Sequence, residues 1–298
     1  MDKEQTAIER LKAASEMSQV YYGAPLIICH SGGKDSVVIT ELARRAGIPF
    51  EVVNHHTTVD APETVRFIRS EFQKFEEEGI NCKILFPKYK GKRISMWSLI
   101  PIKLMPPMPQ MRYCCDILKE NNEETKNRMI VTGVRWAESR KRKANRGIYE
   151  TLSTQSKGKI ILTNDNDDKR QLFENCKIKA KRVVNPIVDW EDSDVWNFIY
   201  SEKLSVNPLY QCGWSRIGCI GCPLARKYRE FEFQQYPRYK TLYIKAFEKM
   251  IVERNKRGKY LTWKTGEEVF DAWMNRPEAY GQTMFDFEIE NEETTEGI

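Results

Sequence analysis

The amino-acid sequence predicts an α/β protein with a doubly wound, mostly parallel sheet and a helical C-terminal extension. Short, continuous apolar runs recur along the first half of the chain, and such runs suit strands that are buried on both faces of a sheet. Between them lie segments with apolar residues at helical spacing, several of which end near a glycine. Because helix alternates with strand, we expect parallel strands joined by right-handed crossovers.

Local patterns predict the individual elements in chain order. Asp60 stands at the expected N-cap of one helical segment, which closes on Gly79. The predicted elements are helices at 3–20, 36–46, 60–80, 192–203 and within 224–275, and strands at 25–30, 49–56, 82–87, 129–134 and 158–163. Two basic segments have no regular pattern: an irregular active-site loop is predicted at 88–111, and an insertion or flap at 140–182.

The overall composition is that of an ordinary soluble protein, with 298 residues, a net charge of +6 and 30% charged residues. No window approaches the roughly eighteen consecutive apolar residues that a membrane span needs. The N-terminal segment is charged and predicts an amphipathic helix rather than an export signal. We therefore expect a cytoplasmic protein with no membrane partner, in which the eight cysteines are reduced thiols, metal ligands or catalytic groups.

A polar loop follows the first predicted strand, where the carboxyl ends of parallel strands hold ligands. We call residues 31–36, with the sequence SGGKDS, the phosphate loop. Glycines let backbone N–H groups converge on an anion, and the N-terminus of the next helix adds its positive dipole. Lys34 supplies a point charge for phosphates, Asp35 a ligand for Mg²⁺, and Ser31 and Ser36 hydroxyl donors. The spacing is not that of the GxxxxGK[ST] loop of γ-phosphate hydrolases.

The sequence shows no internal repeat and no long linker, which favours a single α/β domain with a helical C-terminal extension. Residues 1–223 are interpreted as a nucleotide-binding α/β domain that includes the flap at 140–182 and a cysteine loop at 212–223, and residues 224–298 as a helical extension with an acidic tail. Cys114 and Cys115 are adjacent, and Cys219 and Cys222 form a C-x-x-C pair. Four such thiolates suit either Zn²⁺ or a 4Fe–4S cluster, and the residues alone do not distinguish the two.

Three further cysteines are interpreted as inert, while a fourth stays open. Cys29 and Cys82 fall in predicted strands, and Cys176 falls in the flap. We interpret them as inert because buried free cysteine behaves as a small hydrophobe. Cys212 lies in the cysteine loop and is either a reactive thiol or an incidental neighbour of the cluster.

The combination of motifs resembles the phosphoadenosine phosphosulfate reductase family of the PP-loop ATP pyrophosphatase superfamily, in its iron–sulfur branch. The segments that carry the resemblance are the phosphate loop, the CC and C-x-x-C pairs, TTVDAPET at 57–64, GVRWAESRKR at 133–142, NPIVDWEDSDVW at 185–196 and NPLYQCGWSRIGCIGCP at 207–223. The resemblance implies an adenine nucleotide alpha hydrolase-like fold, with ATP or a sulfonucleotide as ligand, Mg²⁺, and a 4Fe–4S cluster in preference to Zn²⁺.

The resemblance also implies roles for particular residues. The residues expected to bind the phosphates are Ser31, Gly32, Gly33, Lys34, Asp35 and Ser36, and those expected to line the nucleotide pocket are Thr57, Thr58, Asp60 and Gly133. The residues expected to close over the phosphate or sulfo group are Arg135, Glu138 and Arg142. The residues expected to hold the cluster are Cys114, Cys115, Cys219 and Cys222. Lys34, Asp35, Arg135 and Arg142 are the expected catalytic residues. Arginine suits an oxyanion clamp because its planar fork binds bidentately, although a solvated basic face is the alternative for Arg135 and Arg142.

Two departures from the reductases favour ATP chemistry. No cysteine follows Cys222 in this sequence, so the attacking thiol that the thioredoxin-linked reductases carry near the C-terminus is missing. Lys34 and Asp35 are both present, whereas ready-made sulfonucleotides need no Mg²⁺-assisted cleavage of ATP. We therefore expect an ATP pyrophosphatase that adenylates a substrate for sulfur transfer. The alternatives are a sulfonucleotide reductase and a non-enzymatic module that binds nucleotide or nucleic acid.

Partners are expected from the same chemistry. A nucleic acid is one, because aromatic residues in 228–251 are interleaved with lysines and arginines that would suit a single strand, although a buried core and a solvated face explain the same pattern. A cysteine desulfurase or another sulfur donor is a second, and a homodimer is also considered. The sequence leaves the final acceptor open.

Overall fold

Parallel strands form most of the central sheet. The structure is a computed structural model, and it describes residues 2–120, 123–126, 128–152, 161–163, 181–259 and 261–275. The strands are β1 (Leu26–Cys29), β2 (Phe50–His55), β3 (Asn81–Leu85), β4 (Lys88–Tyr89), β5 (Lys92–Arg93), β6 (Met129–Val131), β7 (Tyr149–Leu152), β8 (Ile161–Leu162) and β9 (Lys181–Val184). In the described part of the chain, seven of them form one sheet in the order β3-β2-β1-β6-β9-β7-β8.

Helices occupy most of the remaining described chain. They are α1 (Lys3–Tyr22), α2 (Lys34–Ala46), α3 (Pro62–Glu77), α4 (Met96–Lys103), α5 (Tyr113–Cys115), α6 (Arg140–Asn145), α7 (Asp192–Ser201), α8 (Tyr228–Gln235), α9 (Pro237–Lys256) and α10 (Gly266–Asn275). A π-helical turn, Asp116–Glu120, continues α5. In the described part of the chain, none of the helices combines the length with the hydropathy that a membrane span requires.

The predicted α/β class and the mostly parallel sheet are confirmed. Strands β3, β2, β1, β6 and β9 run parallel, whereas β7 pairs antiparallel with both β9 and β8. Strand β1 lies between β2 and β6, so the chain order reverses beside it. In an open α/β sheet such a reversal leaves a crevice at the carboxyl ends of the strands. The phosphate loop begins at this point.

Apolar side chains cover both faces of the central strands, as the continuous apolar runs predicted. Leu26 and Ile28 of β1 belong to the larger buried cluster, while Ile27 belongs to a second cluster on the opposite face. The alternation follows the pleat, in which successive side chains point to opposite faces. Strand β1, which the phosphate loop follows, is therefore packed on both of its faces.

The chain divides into two compact units, and the division differs from the predicted one. The first comprises Met1–Ile94 and Tyr113–Ile220, and the second Ser95–Arg112 and Gly221–Ile298. Helix α4 thus belongs to the second unit, where it packs against α9. The boundary predicted after residue 223 treated the chain as two consecutive stretches, whereas a segment from the middle of the sequence completes the second core.

Aromatic side chains form the core of the second unit. Tyr243 and Phe247 of α9 are almost fully buried, and Trp273 of α10 lies 4.9 Å from Tyr243 between ring centroids. Trp97 of α4 meets Tyr243 edge-on at 5.1 Å. The rings of Tyr243, Phe247 and Trp273 are buried in this core, so these three are not available for stacking with bases. The helical C-terminal extension is confirmed, and its acidic tail lies outside the described residues.

Three local predictions are wrong. Asp60 is not the N-cap of α3, because Ala61 takes that position and the Asp60 carboxylate binds elsewhere. Residues 88–111 are not wholly irregular, since they contain a β4–β5 hairpin and α4. The segment 140–182 is not simply a flap: its described parts contain α6 and β7, and β9 begins within it, so that both strands join the sheet. Those pairings are non-local, and local sequence pattern does not reveal them.

Candidate active site

The phosphate loop turns sharply after β1 because of Gly32. Its φ of +77° is in the left-handed region that favours glycine, and an added Cβ would lie 3.0 Å from side-chain carbons of Thr64 and Ile68 on α3. Gly33 is the N-cap of α2 and accepts hydrogen bonds from the amides of Ser36 and Val37. The loop therefore ends at the N-terminus of a helix, as predicted.

The two serines of the loop stabilise its own conformation. Ser36 Oγ donates to the carbonyl of Gly33 at 2.7 Å, so this hydroxyl is engaged within the loop rather than directed to a ligand. Ser31 Oγ lies 3.5 Å from Ser36 Oγ. Of the predicted phosphate donors, backbone amides are thus better disposed to bind an anion than the Ser36 hydroxyl.

Two buried cations and two carboxylates form a closed network beside the loop. Lys34 Nζ lies 3.1 Å from Asp192 Oδ1 and 3.5 Å from Asp35 Oδ2. Arg135 donates from Nε to Asp35 Oδ1 at 2.6 Å and from Nη2 to Asp192 Oδ1 at 2.8 Å. Lys34 is 7% exposed and Arg135 2% exposed. The carboxylates offset the cost of burying both cations.

Charge and burial act in opposite directions on the pKa values of this network. Burial lowers the pKa of Arg135, but the adjacent Asp35 and Asp192 carboxylates outweigh it and raise the pKa above its usual value. Burial raises the pKa of Asp192, yet Lys34 and Arg135 outweigh it and lower the pKa. Both shifts favour the charged forms of Arg135 and Asp192, so an arriving anion meets a guanidinium that is already ionised.

Gly133 allows β6 to approach the helix that follows the loop. A Cβ at this position would lie 2.9 Å from Asp35 Cβ and 3.0 Å from the Asp35 carbonyl carbon. The residue before Trp136 on this loop, Arg135, can therefore reach Asp35 across the reversal point between β1 and β6. Gly133 acts through close packing of backbone against backbone.

Thr57, Thr58 and Asp60 lie together in the loop after β2, as predicted. Asp60 Oδ2 accepts a hydrogen bond from the Thr57 amide at 2.8 Å and lies 3.5 Å from His56 Nδ1. Burial lowers the pKa of His56, and it outweighs the opposing effect of Asp60. Thr58 has a φ of +67°, a strained value for a β-branched residue. The loop is stabilised by Asp60 rather than by a helix cap.

Arg142 and Glu138 are linked to the charge network only through the backbone of Arg135. Glu138 accepts a hydrogen bond from the Arg135 amide at 3.1 Å and forms a salt bridge with Arg142. The Arg142 side chain is 42% exposed, and it lies on the short helix α6. The structure therefore brings Lys34, Asp35 and Arg135 together, while Arg142 stabilises the segment behind Arg135.

Sequence reasoning missed three residues of this site. Asp192 binds both cations, Tyr210 accepts a hydrogen bond from the Lys34 amide at 3.0 Å, and Asn207 Nδ2 lies 3.4 Å from the Gly32 carbonyl. All three lie in the segments 185–196 and 207–223, which carry part of the family resemblance. Their presence in those segments was the available signal, but their partners come from residues far away in the chain.

The predicted cluster ligands are not assembled into a metal site in the described parts of the chain. No group of three or more His, Cys, Asp or Glu side chains there is arranged to hold a metal ion. Cys114 is buried, Cys115 and Cys222 are partly buried, and the Cys219 thiol donates to Thr57 Oγ1 at 3.4 Å. Four thiols have the right chemistry for a cluster, and a cluster held by them stays a prediction.

Comparison with known proteins decides the family. Residues 25–225 match the profile of the phosphoadenosine phosphosulfate reductase domain. The chain belongs to the phosphoadenosine phosphosulfate reductase family. The match covers both the phosphate loop and the segments that carry Arg135, Asp192 and Tyr210. The resemblance predicted from the motifs is confirmed at the level of the family, whereas membership of an iron–sulfur branch stays a prediction.

Two proteins with similar sequences align with most of this chain. An uncharacterized protein of Methanocaldococcus jannaschii is 29% identical over 74% of this chain and 45% of its own length. An adenosine 5'-phosphosulfate reductase of Bacillus cereus (strain Q1) is 27% identical over 71% of this chain and 80% of its own length. The chain spans less than half the length of the first of these relatives.

Among solved structures, a phosphoadenylyl-sulfate reductase from Candida auris in a phosphate complex is 15% identical. It aligns with a TM-score of 0.44 over 71% of this chain and 93% of its own length. At this level the structural similarity has no bearing on the function of this family member.

Proposed function

We propose that this protein is an ATP pyrophosphatase that cleaves ATP to AMP and pyrophosphate and adenylates a substrate for sulfur transfer. The observation that supports the proposal is the buried pair Lys34 and Arg135, held by Asp35 and Asp192 beside a glycine-containing loop at the reversal of strand order. Two buried cations at a helix N-terminus suit a polyphosphate rather than a neutral ligand.

Asp35 and Asp192 fit Mg²⁺ as a partner of the phosphates. Proteins bind Mg²⁺ through one or two carboxylates together with substrate phosphates and water. The Asp192 side chain is 64% exposed and that of Asp35 is 24% exposed, so both carboxylates can gain a further partner on the solvent side. Bound Mg²⁺ would supply neutralisation of the negative charge that develops on the leaving pyrophosphate.

The residues of the chain divide the remaining work. Arg135 donates hydrogen bonds to three partners, the Asp35 and Asp192 carboxylates and the Trp190 carbonyl. Its positive charge is therefore held in a fixed position beside the phosphate loop. Lys34 has a flexible stem and exchanges Asp192 for a phosphate oxygen when nucleotide binds. A substrate oxygen attacks the α-phosphorus, the bond from that phosphorus to pyrophosphate breaks, and the departing oxygens are stabilised by these cations.

Sulfur transfer follows as the second half of the proposed reaction. A sulfur nucleophile, the outer sulfur of a persulfide on a cysteine desulfurase or on another donor, attacks the carbon or phosphorus that carries the adenylated oxygen; the bond from that centre to the oxygen breaks, and AMP leaves. A thiol then reduces the disulfide that joins donor and acceptor and frees the thiolated product. We propose a nucleic acid as acceptor and an adenine nucleotide as the ligand of the loop. Binding of labelled single-stranded DNA and RNA, measured with and without ATP, tests the acceptor class.

Release of AMP tests the activation step. The full chain is incubated with ATP and Mg²⁺, with and without nucleic acid and a persulfide donor, and AMP and pyrophosphate are measured by chromatography. We expect both products in equal amounts, and we expect Lys34→Ala to lower their formation at least about 100-fold. Lys12→Ala, on the exposed face of α1, is the matched control and keeps wild-type rates. Absence of AMP under every condition contradicts the proposal.

Sulfonucleotide reduction is the second candidate, because relatives named adenosine 5'-phosphosulfate reductase align over most of their length. It predicts sulfite release from adenosine 5'-phosphosulfate with a thiol reductant. Sulfite without AMP formation from ATP would replace the first proposal by the second.

A 4Fe–4S cluster held by Cys114, Cys115, Cys219 and Cys222, with Zn²⁺ as the alternative, remains a proposal that no step above requires. Anaerobic purification followed by iron, sulfide and zinc analysis tests it directly. About four irons and four sulfides per chain would support the cluster, and a colourless protein that contains zinc would replace it.

A further inference from the structure

The segment Pro208–Cys212 and the preceding Asn207 hold the phosphate loop at two points. The Asn207 side chain is fully buried, and its Nδ2 donates to Thr64 Oγ1 at 3.0 Å and lies 3.4 Å from the Gly32 carbonyl. Three residues further on, the Tyr210 hydroxyl accepts a hydrogen bond from the Lys34 amide at 3.0 Å. The two contacts fix Tyr210 relative to the loop.

The ring of Tyr210 is fixed from the other side by Trp196. The two rings meet edge-on, with centroids 5.2 Å apart and an interplanar angle of 87°. Trp196 lies on α7, the helix whose first residue is Asp192. The hydroxyl is therefore held at the start of α2 without depending on a ligand.

The hydrogen bond from Lys34 leaves the phenolic proton of Tyr210 available. A tyrosine hydroxyl can accept and donate at the same time, and here the Lys34 N–H uses its acceptor side. That N–H belongs to the first residue of α2, at the positive end of the helix, and polarises the hydroxyl into a stronger donor. Burial, together with the nearby carboxylates, raises the pKa of Tyr210 well above its usual value, so the proton stays on the oxygen.

We propose that Tyr210 is a phosphate-binding residue. Its hydroxyl accepts a hydrogen bond from the Lys34 amide and donates its own O–H to a non-bridging phosphate oxygen of the bound nucleotide. The Tyr210 hydroxyl then lies between the Lys34 amide and the phosphate. It allows the N-terminus of α2 to act on a phosphate that is too far away to bind the amide directly. The inference rests on the proposed function for its choice of ATP as ligand. Adenosine 5'-phosphosulfate offers a similar oxygen, so the role of Tyr210 can be tested with either nucleotide.

Affinity measurements with Tyr210→Phe test this role. Phenylalanine keeps the ring contact with Trp196 and removes only the hydroxyl. Dissociation constants for ATP with Mg²⁺, for adenosine 5'-phosphosulfate and for adenosine are measured by calorimetry on the full chain. We expect the variant to bind ATP at least about ten-fold more weakly, because hydrogen bonds to charged groups are the strong ones, and to bind adenosine as the wild type does.

Tyr200→Phe is the matched control, because Tyr200 stacks on the same Trp196 at 5.7 Å but is 70% exposed. It should leave all three affinities unchanged. Thermal unfolding without ligand, within about 3 °C of wild type for both variants, shows that the fold is intact.

The outcomes distinguish failure of the Tyr210 role from failure of the proposed function. Equal affinity of wild type and Tyr210→Phe for the nucleotide overturns the phosphate-binding role. A parallel loss for adenosine also overturns it, since that would indicate a structural role. If the wild type binds adenosine 5'-phosphosulfate but not ATP, the proposed function fails. The dissociation constants of Tyr210→Phe and of the wild type for adenosine 5'-phosphosulfate then decide the role of Tyr210. If the wild type binds neither nucleotide, both fail.

Discussion

Asp35 and Arg135, 100 residues apart in the chain, are joined by a 2.6 Å hydrogen bond from the guanidinium Nε to the carboxylate Oδ1. One residue follows β1 and the other follows β6, so the bond spans the point where the strand order reverses. It links the helix that begins at the phosphate loop to the segment that begins at Gly133. The candidate site is therefore organised by an ion pair that the two adjacent strands bring together.

The shape of the Arg135 side chain matters as much as its charge. Its three donor nitrogens bind three separate acceptors, on Asp35, Asp192 and Trp190, which a lysine cannot do. We expect Arg135→Lys to lower kcat/KM for AMP formation about 100-fold and to destabilise the protein by about 2 kcal/mol. Initial rates and urea unfolding measure the two effects. Arg44→Lys, on the exposed side of α2, should leave kcat/KM unchanged; similar rates for Arg135→Lys and wild type would refute the expectation.

Gly133 is required for a close approach that no side chain permits. In Gly133→Ala the new Cβ must push against Asp35 Cβ, so we expect a loss of about 2 kcal/mol in stability together with a loss of ATP turnover. Gly47→Ala separates the two effects. Gly47 is the C-cap of α2, the helix that contains Asp35. It has a φ of +64°, and an added Cβ would have no other group within 4 Å. It should cost about 1 kcal/mol in strain and keep full activity; equal turnover in both variants would contradict the role of Gly133.

His30 makes folding stability depend on pH. Its imidazole is fully buried among Phe67, Phe72 and Phe75, and burial lowers its pKa from 6.5 to about 4. Below pH 6.5 the unfolded chain binds a proton that the folded chain refuses, so stability falls as the pH falls toward about 4 and this loss ends below that value. The total contribution is about 3 kcal/mol.

Denaturant unfolding of wild type and His30→Leu between pH 4 and 7 measures the contribution. The difference in stability between the two proteins should shift in favour of the variant by about 3 kcal/mol across this range. A constant difference would show that His30 does not titrate with a lowered pKa. Other acid-sensitive groups are common to both proteins and cancel in the comparison.

Thiol reactivity should distinguish the cysteines. Burial, with a smaller contribution from the Glu76 carboxylate, raises the pKa of Cys82 to about 12, so at pH 8 roughly one molecule in ten thousand carries this thiolate. Cys212 is exposed. We expect iodoacetamide to modify Cys212 first and Cys82 only after unfolding, as followed by mass spectrometry of peptides. Rapid labelling of Cys82 in the native protein would contradict this order, and Cys212→Ser serves as the control for assignment of the first modification.

Local sequence is sufficient for the phosphate loop and for most of the parallel sheet. Gly32 and Gly33 are recognisable because the freedom of glycine is a property of the residue itself, and β1 and α2 are recognisable because buried strands and helices impose apolar periods that can be read along the chain. Lys34 and Asp35 could be assigned to the site for the same reason, since they are covalently part of that loop.

The partners of the loop were decided by tertiary structure. Asp192 and Tyr210 belong to segments more than 150 residues from Lys34, as their separations of 158 and 176 positions show, and only the packing of those segments against α2 brings them to it. β7 and β9 likewise become sheet strands through pairing with each other, which the polar sequence of 140–182 does not predict. Strand pairing and buried ion pairs depend on neighbours that the fold supplies, whereas loops and helices depend mainly on residues next to them in the chain.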